Sequence, residues 1–309
     1  MTEPVSSAAI EPEQIWVSAG EVRLRVLSVG PTNAPPLILL HGMRDVAWSL
    51  LPVALPLARR HRVLLPDLRG HGESDQPGIY TLDHYLFDLH QVMAELQIER
   101  AAVFGHSLGG QILARFAAVF PDKVKVAIIA EGLGPPDRPG DHDPTLDIAR
   151  HGAHLVEILG IDRHQRPLPD LEFAAQRLRR NNPRLDPAVA RALAEQATRQ
   201  LDGTLYWAFD PRVRSTFLSV RRADSERYWR QVRCPTLIVT GDLAHEYWHQ
   251  QIPGLPGWDG RFAPGELEER LTCFADHEHA PISGAGHMLH YDRPDALTAA
   301  ITDFLERRL

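Results

Sequence analysis

One serine in this chain stands where a hydroxyl could become a nucleophile. Residues 101–104 form an apolar run that ends at Gly105, and from Leu108 onward Ile112, Phe116 and Val119 recur at helical spacing. A strand therefore passes into a helix with almost no room to turn, and Ser107 occupies the turn in Gly105-His106-Ser107-Leu108-Gly109. Glycines at the two flanking positions remove the side chains that would block so tight a crossing. The turn lifts the serine hydroxyl out of the sheet, and the helix N-terminus beside it offers backbone N–H groups to a developing anion. A second pattern points to other chemistry: His245-Glu246-Tyr247-Trp248-His249 matches HExxH, the spacing of a zinc site. No convincing third ligand stands near it and the segment falls in a strand-to-helix connection, so no metal is expected.

The elements around Ser107 must be strong enough to hold that turn. Two strand patterns about Ala19-Gly20 predict a hairpin over 14–29. Leu37-Ile38-Leu39-Leu40 and Val63-Leu64-Leu65 are continuous apolar runs, as in strands buried on both faces, with a helical stretch between them to about Arg60. The Gly-rich stretch from Asp67 to Asp75 reads as a structural turn. Thr81 caps a helix over 82–97, with Leu82, Tyr85, Leu89, Val92 and Leu96 on one face. Lys125 to Ala130 is a further strand and ends at Glu131. Strands alternating with helices predict an α/β chain with a parallel, doubly wound sheet. The alternation then stops: residues 138–232 show helical patterns only, at about 144–159, 169–180, 186–200 and 223–231. The sheet resumes at 236–240, an irregular Pro/Gly-rich segment spans 252–265, and a helix near 265–274 precedes a last strand at 278–283. Gly284-Ala285-Gly286-His287 and a terminal helix, 294–307, follow. The division expected is a core of 15–133 and 233–309, a helical cap of 134–232 and a disordered lead-in of 1–14.

Composition narrows the partners. The 309 residues are 44% hydrophobic with a net charge of −7, enough for a large core and unsuited to nucleic acid. No run approaches the ~18 consecutive apolar residues of a membrane span, and the first fourteen residues carry no apolar signal core, so the expectation is a cytoplasmic protein without membrane contact. The two cysteines, Cys234 and Cys273, have neither metal-ligand nor redox-motif spacing and read as structural thiols.

With the elbow, the order of the sheet elements and a late histidine turn in place, the chain resembles the α/β-hydrolase superfamily over roughly residues 15–305. His41-Gly42 is similar to its oxyanion-loop motif and Asp67-Leu68-Arg69-Gly70-His71-Gly72-Glu73-Ser74 to the stretch after the fourth strand. Gly105 to Gly109 resembles its nucleophile elbow and Gly284 to His287 its histidine turn. The resemblance implies a mostly parallel sheet with helices on both faces, an inserted helical cap, and hydrolysis without a cofactor. It implies Ser107 as nucleophile, His287 as its base, and the backbone amides of Met43 and Leu108 as oxyanion donors. The orienting acid stays open. Its usual place, three residues beyond the glycine that ends the strand at 236–240, is Ala244 here. Glu131 is preferred, since some members, haloalkane dehalogenases among them, look to carry a glutamate after the preceding strand. Asp242 is the less favoured alternative.

A serine at the elbow argues against dehalogenase or epoxide-hydrolase chemistry, which in this superfamily uses an aspartate nucleophile. Trp48 and Trp207 are candidates for the substrate pocket. Arg44 and Asp45 could line its mouth or serve structure, and Phe173, Tyr206, Phe209, Tyr228, Trp229, Tyr247, Trp248 and Trp258 are further aromatics of the cap and the later irregular segment. The expected activity is hydrolysis of a small-molecule partner, a small or medium ester, through an acyl-enzyme. Lactone, thioester or carbon–carbon bond cleavage by the same residues, or a receptor-like protein with slow or no turnover, are the alternatives.

Overall fold

A computed structural model describes residues 12–141, 143–161, 166–218, 220–252 and 255–309. The first elements are β1 (Glu13–Ala19) and β2 (Val22–Val29), an antiparallel hairpin, followed by β3 (Pro36–Leu40). A short 3₁₀ turn over Ala47–Leu50 leads into α1 (Leu51–Leu57). Then β4 (Arg62–Pro66), α2 (Leu82–Glu95), β5 (Ala101–His106), α3 (Leu108–Val119) and β6 (Val124–Ala130) alternate. An insertion holds α4 (Pro144–Leu159), α5 (Leu171–Asn181), α6 (Pro187–Gln196), β7 (Thr198–Leu201), β8 (Thr204–Trp207) and α7 (Arg222–Trp229). The alternation resumes with β9 (Thr236–Gly241), α8 (Ala244–Gln251), α9 (Glu266–Leu271), β10 (His277–Ile282), α10 (Leu289–Asp292) and α11 (Pro294–Arg308).

Eight strands form one sheet in the order β1-β2-β4-β3-β5-β6-β9-β10. Strand β2 is antiparallel to both its neighbours and every later pair is parallel, which requires the crossover helices. The apolar run of β3 has the meaning its sequence suggested. Ile38 and Leu40 face the core under α2 and α3, while Leu37 and Leu39 face the core under α1 and α11. Burying such side chains on both faces contributes about 1.5–3 kcal/mol each, and this rigid centre carries the turn at Ser107.

The insertion has a small core of its own, in which Ala174, Leu185, Ala190 and Leu193 meet. Val46 and Trp48 from the loop after β3, and Tyr291 from α10, pack against it. It is therefore seated over the carboxyl ends of the parallel strands, where open α/β sheets bind ligands. Its helices agree with the sequence patterns except at one place. Residues 197–207 are not helical: β7 and β8 form a hairpin whose turn, Asp202-Gly203, has positive φ at both residues, 49° and 77°. That is the geometry of a two-residue hairpin turn, which Asp-Gly favours and a helix cannot accommodate. The exit of this hairpin locks onto the turn after β4, with the Gly72 amide donating to Ala208 O and the Asp210 amide to Gly70 O. Of the expected lead-in, residues 1–11 lie outside the described residues, and β1 begins at Glu13. Among the described residues no helix is long and apolar enough to cross a membrane.

Candidate active site

Strand β5 ends at His106, and α3 begins at Leu108, so Ser107 alone makes the turn, with φ 51° and ψ −111°. A left-handed φ at a residue with a side chain is unfavourable, and it persists only where the surroundings fix it. They do so here: the Ser107 amide donates to Ala130 O at 2.9 Å, keeping the serine in the β5–β6 ladder, and its carbonyl accepts from Gln111 N at 3.1 Å, opening the helix. The flanking glycines are close contacts. A Cβ at Gly105 would lie 2.3 Å from Gly109 O, and one at Gly109 2.3 Å from Leu40 O.

Three segments far apart in sequence meet at this turn. The Ser107 hydroxyl is 3.0 Å from His287 Nε2, and His287 Nδ1 donates to Glu131 Oε2 at 3.1 Å. The histidine and carboxylate side chains are 2% and 6% exposed, so the pair is largely removed from water. Glu131 follows the end of β6 at φ 51°, and its other oxygen accepts from the Gly241 amide at 2.8 Å, at the end of β9. Asp242, the alternative acid, is committed elsewhere. It accepts from Ser283 Oγ at 3.1 Å and from the Gly284 amide at 2.8 Å, holding the turn that leads to His287 and not the imidazole itself.

The loop after β3 borders the serine on its other side. A Cβ at Gly42 would lie 3.4 Å from Ser107 Cβ and 2.8 Å from His106 Nδ1, so the backbone of 42–43 passes directly beside Ser107. The Leu108 amide is the first of α3 and, like every first-turn amide, has no acceptor within its helix.

The whole arrangement belongs to a known type. A family model for the alpha/beta hydrolase fold matches residues 35–157. A serine hydrolase-like protein of Danio rerio is 25% identical over 292 residues, covering 93% of this chain and 86% of the relative. A 2-(acetamidomethylene)succinate hydrolase of Mesorhizobium japonicum is 23% identical over 94% of both chains. Among solved structures, the thioesterase domain from the curacin biosynthetic pathway superposes with a TM-score of 0.78 at 25% identity, over 94% of this chain and 99% of that one. The chain has the α/β-hydrolase fold.

Several features of the site escape a reading of the sequence. Tyr247 and Trp248 lie not in an irregular segment but on α8, and they enclose His287. The Tyr247 ring stacks on the imidazole at 4.1 Å and 11°, and Trp248 meets it edge-on at 5.0 Å. Trp48 and Trp207, named as pocket candidates, are half-buried and pack against the core of the insertion, with Trp207 stacked on Phe209 at 6.3 Å. The HExxH residues on α8 do not converge. His245 Nε2 accepts from Arg261, Glu246 pairs with Arg184, and His249 Nδ1 donates to Trp258 O.

Among the described residues one set of metal-ligand type does gather, Asp45, His106 and His290, all buried. Its principal atoms serve a different purpose. Asp45 accepts from Ser49 Oγ at 2.8 Å, Tyr291 Oη at 2.9 Å, the Val46 amide at 2.9 Å and His290 Nε2 at 3.1 Å. Burial alone would raise its carboxyl, but the bond and charge of His290, then His41 and the Val46 amide, hold it well below the usual range. His106 Nε2 donates to the His287 carbonyl at 2.8 Å. Burial, and then the neighbouring His290, keeps His106 far below the ordinary histidine value, so it is neutral. The set ties the loop after β3, the elbow and the histidine loop to one another. No single segment of sequence displays it, because its members stand 61 and 184 residues apart along the chain, from Asp45 to His106 and from His106 to His290.

Proposed function

We propose that the protein is a serine hydrolase that cleaves a small or medium carboxylic ester through an acyl-enzyme. The observation that carries this is the hydroxyl–imidazole–carboxylate line, 3.0 Å from Ser107 Oγ to His287 Nε2 and 3.1 Å from Nδ1 to Glu131. A serine hydroxyl is a weak nucleophile near neutral pH and needs a base within hydrogen-bond reach. In the proposed cycle His287 takes the Ser107 proton as Oγ attacks the ester carbonyl, and Glu131 holds the imidazole in the required tautomer and steadies the imidazolium. The oxyanion is met by the amides of Met43 and Leu108, each such donor supplying about 3–4 kcal/mol in serine hydrolases. His287 then protonates the leaving alcohol. Water, deprotonated by the same imidazole, releases the acid and restores Ser107.

The relatives, a thioesterase domain and a serine hydrolase-like protein among them, support hydrolysis as the reaction class. No step in the cycle calls for a cofactor. The test is turnover of p-nitrophenyl esters of graded acyl length by purified protein. Many product molecules per protein support the hydrolase. A single stoichiometric burst would instead indicate a receptor-like protein that keeps the residues and holds its ligand.

A further inference from the structure

Among the described residues, the residue after Met43 carries a charge with no ion pair. Arg44 sits at φ 61°, one of three side-chain-bearing residues at the site, with Ser107 and Glu131, held in the left-handed region. Its guanidinium is turned toward the insertion, with Cζ 6.0 Å from the Phe209 ring centroid. The residue is exposed, so a ligand entering from solvent can reach it. Desolvation first, and Arg214 second, hold it below the ordinary arginine value, while Tyr247 and Glu157 act in the opposite direction. Glu157 is already paired with Arg214 at 2.5 Å, so this corner of the cleft has two guanidiniums and one carboxylate. Among the described residues Arg44 makes no hydrogen bond or ion pair, and the Tyr247 hydroxyl makes no hydrogen bond either. That tyrosine, whose charge Arg44 feels, is the one stacked on His287, and Arg44 itself directly follows Met43.

Resting on the serine-hydrolase reading above, we infer that Arg44 binds a carboxylate of the substrate, and that the ester cleaved bears such a group at the end of a short chain. A guanidinium offers a planar fork that matches a carboxylate in two parallel hydrogen bonds, and with Arg214 beside it the corner carries a surplus of positive charge that an anion would neutralise. The reach follows from covalent geometry. Arg44 is one residue, about 3.8 Å, beyond Met43, and an extended arginine side chain adds about 6–7 Å. A carboxylate held there lies on the order of 6–8 Å from the scissile carbonyl, the span of about four methylenes. Half-esters of a six-carbon dicarboxylic acid fit that distance.

The test compares mono-p-nitrophenyl adipate with p-nitrophenyl hexanoate, equal in chain length and different in charge. Wild type is expected to favour the adipate half-ester in kcat/KM by tenfold or more, chiefly through KM, and the preference should shrink as ionic strength rises. In Arg44→Gln the ratio of the two kcat/KM values is expected to fall at least tenfold, and Arg44→Lys to restore part of it. A thermal melt checks that each variant is folded. Turnover of hexanoate with a wild-type ratio of one or less, or a ratio unmoved by Arg44→Gln, overturns the carboxylate site and leaves the hydrolase reading standing. Where neither ester is turned over, the readout is protection of Ser107 from a fluorophosphonate by adipate against adipamide. Slower labelling with adipate in wild type but not in Arg44→Gln supports the site, and equal rates overturn it. No labelling of Ser107 at all overturns the reading beneath it.

Discussion

Replacing Glu131 by glutamine keeps the shape of the side chain and removes its charge. In the native protein one carboxylate oxygen accepts from His287 Nδ1 at 3.1 Å and the other from the Gly241 amide at 2.8 Å. An amide can satisfy both only by aiming its oxygen at one of them and its NH₂ at the other. If the NH₂ faces Nδ1, the imidazole must carry its proton on Nε2, and it can no longer take one from Ser107. The oxygen facing Nδ1 preserves the tautomer but not the attraction to the imidazolium. Opposite charges at 3.1 Å attract by about 5 kcal/mol at an effective dielectric of about 20, an upper figure of which the amide dipole recovers part. Either way the expected loss in kcat is roughly 10²- to 10⁴-fold. Asp242→Asn perturbs only the turn before His287 and should stay within about tenfold of wild type. Steady-state kinetics on an activated ester decide the matter, with circular dichroism to show that both variants fold. Glu131→Gln within tenfold of wild type, or an equal loss in Asp242→Asn, would refute the assignment.

Gly42→Ala would place a Cβ 2.8 Å from His106 Nδ1 and 3.4 Å from Ser107 Cβ, moving the Met43 amide. A fall of roughly 10²-fold in kcat with the protein still folded is expected, and an unchanged kcat would remove Met43 from the oxyanion site. Asp45→Leu removes a buried carboxylate that four donors converge on. Stability measured by urea denaturation should drop by about 3–5 kcal/mol, and an unshifted midpoint would contradict the role of Asp45 as a tie between loops. Burial holds His41, His71 and His106 below the ordinary histidine value, His71 at about 3. The unfolded chain therefore binds more protons than the folded one below about pH 6.5. The stability these groups contribute is fully present above that pH and is lost as pH falls toward each folded value, at up to about 1.4 kcal/mol per unit for the strongly lowered His71. Urea midpoints that stay flat from pH 8 to pH 5 would contradict this.

What the sequence displays and what it hides divide along contact range. The strand-to-helix turn at Ser107 is local, and its glycines and apolar spacing announce it. The parallel strands are equally plain, because β3 and β4 are apolar on both faces and no amphipathic helix reads that way. The hairpin β7–β8 was masked by the apolar pattern of α6 running on toward residue 200, although Asp202-Gly203 carried a turn signal that should have broken the helix at Gln196. Tyr247 gave no sign of its place against His287, since forty residues and a strand separate them and only the fold sets one ring over the other. The Asp45–His106–His290 tie is hidden for the same reason. Each member alone is an ordinary polar residue, and its burial is visible only once three loops have met. Arg44 stands directly after Met43 in the sequence, but that it has no hydrogen bond or ion pair among the described residues is a property of the assembled cleft.

The most direct test of the account is whether Ser107 is an activated nucleophile. Purified protein treated with a fluorophosphonate and digested for mass spectrometry should carry one stoichiometric adduct on the peptide containing Ser107, with none in Ser107→Ala. A folded protein that acquires no adduct, or acquires it on another residue, would contradict the claim that this serine, paired with His287, performs the chemistry.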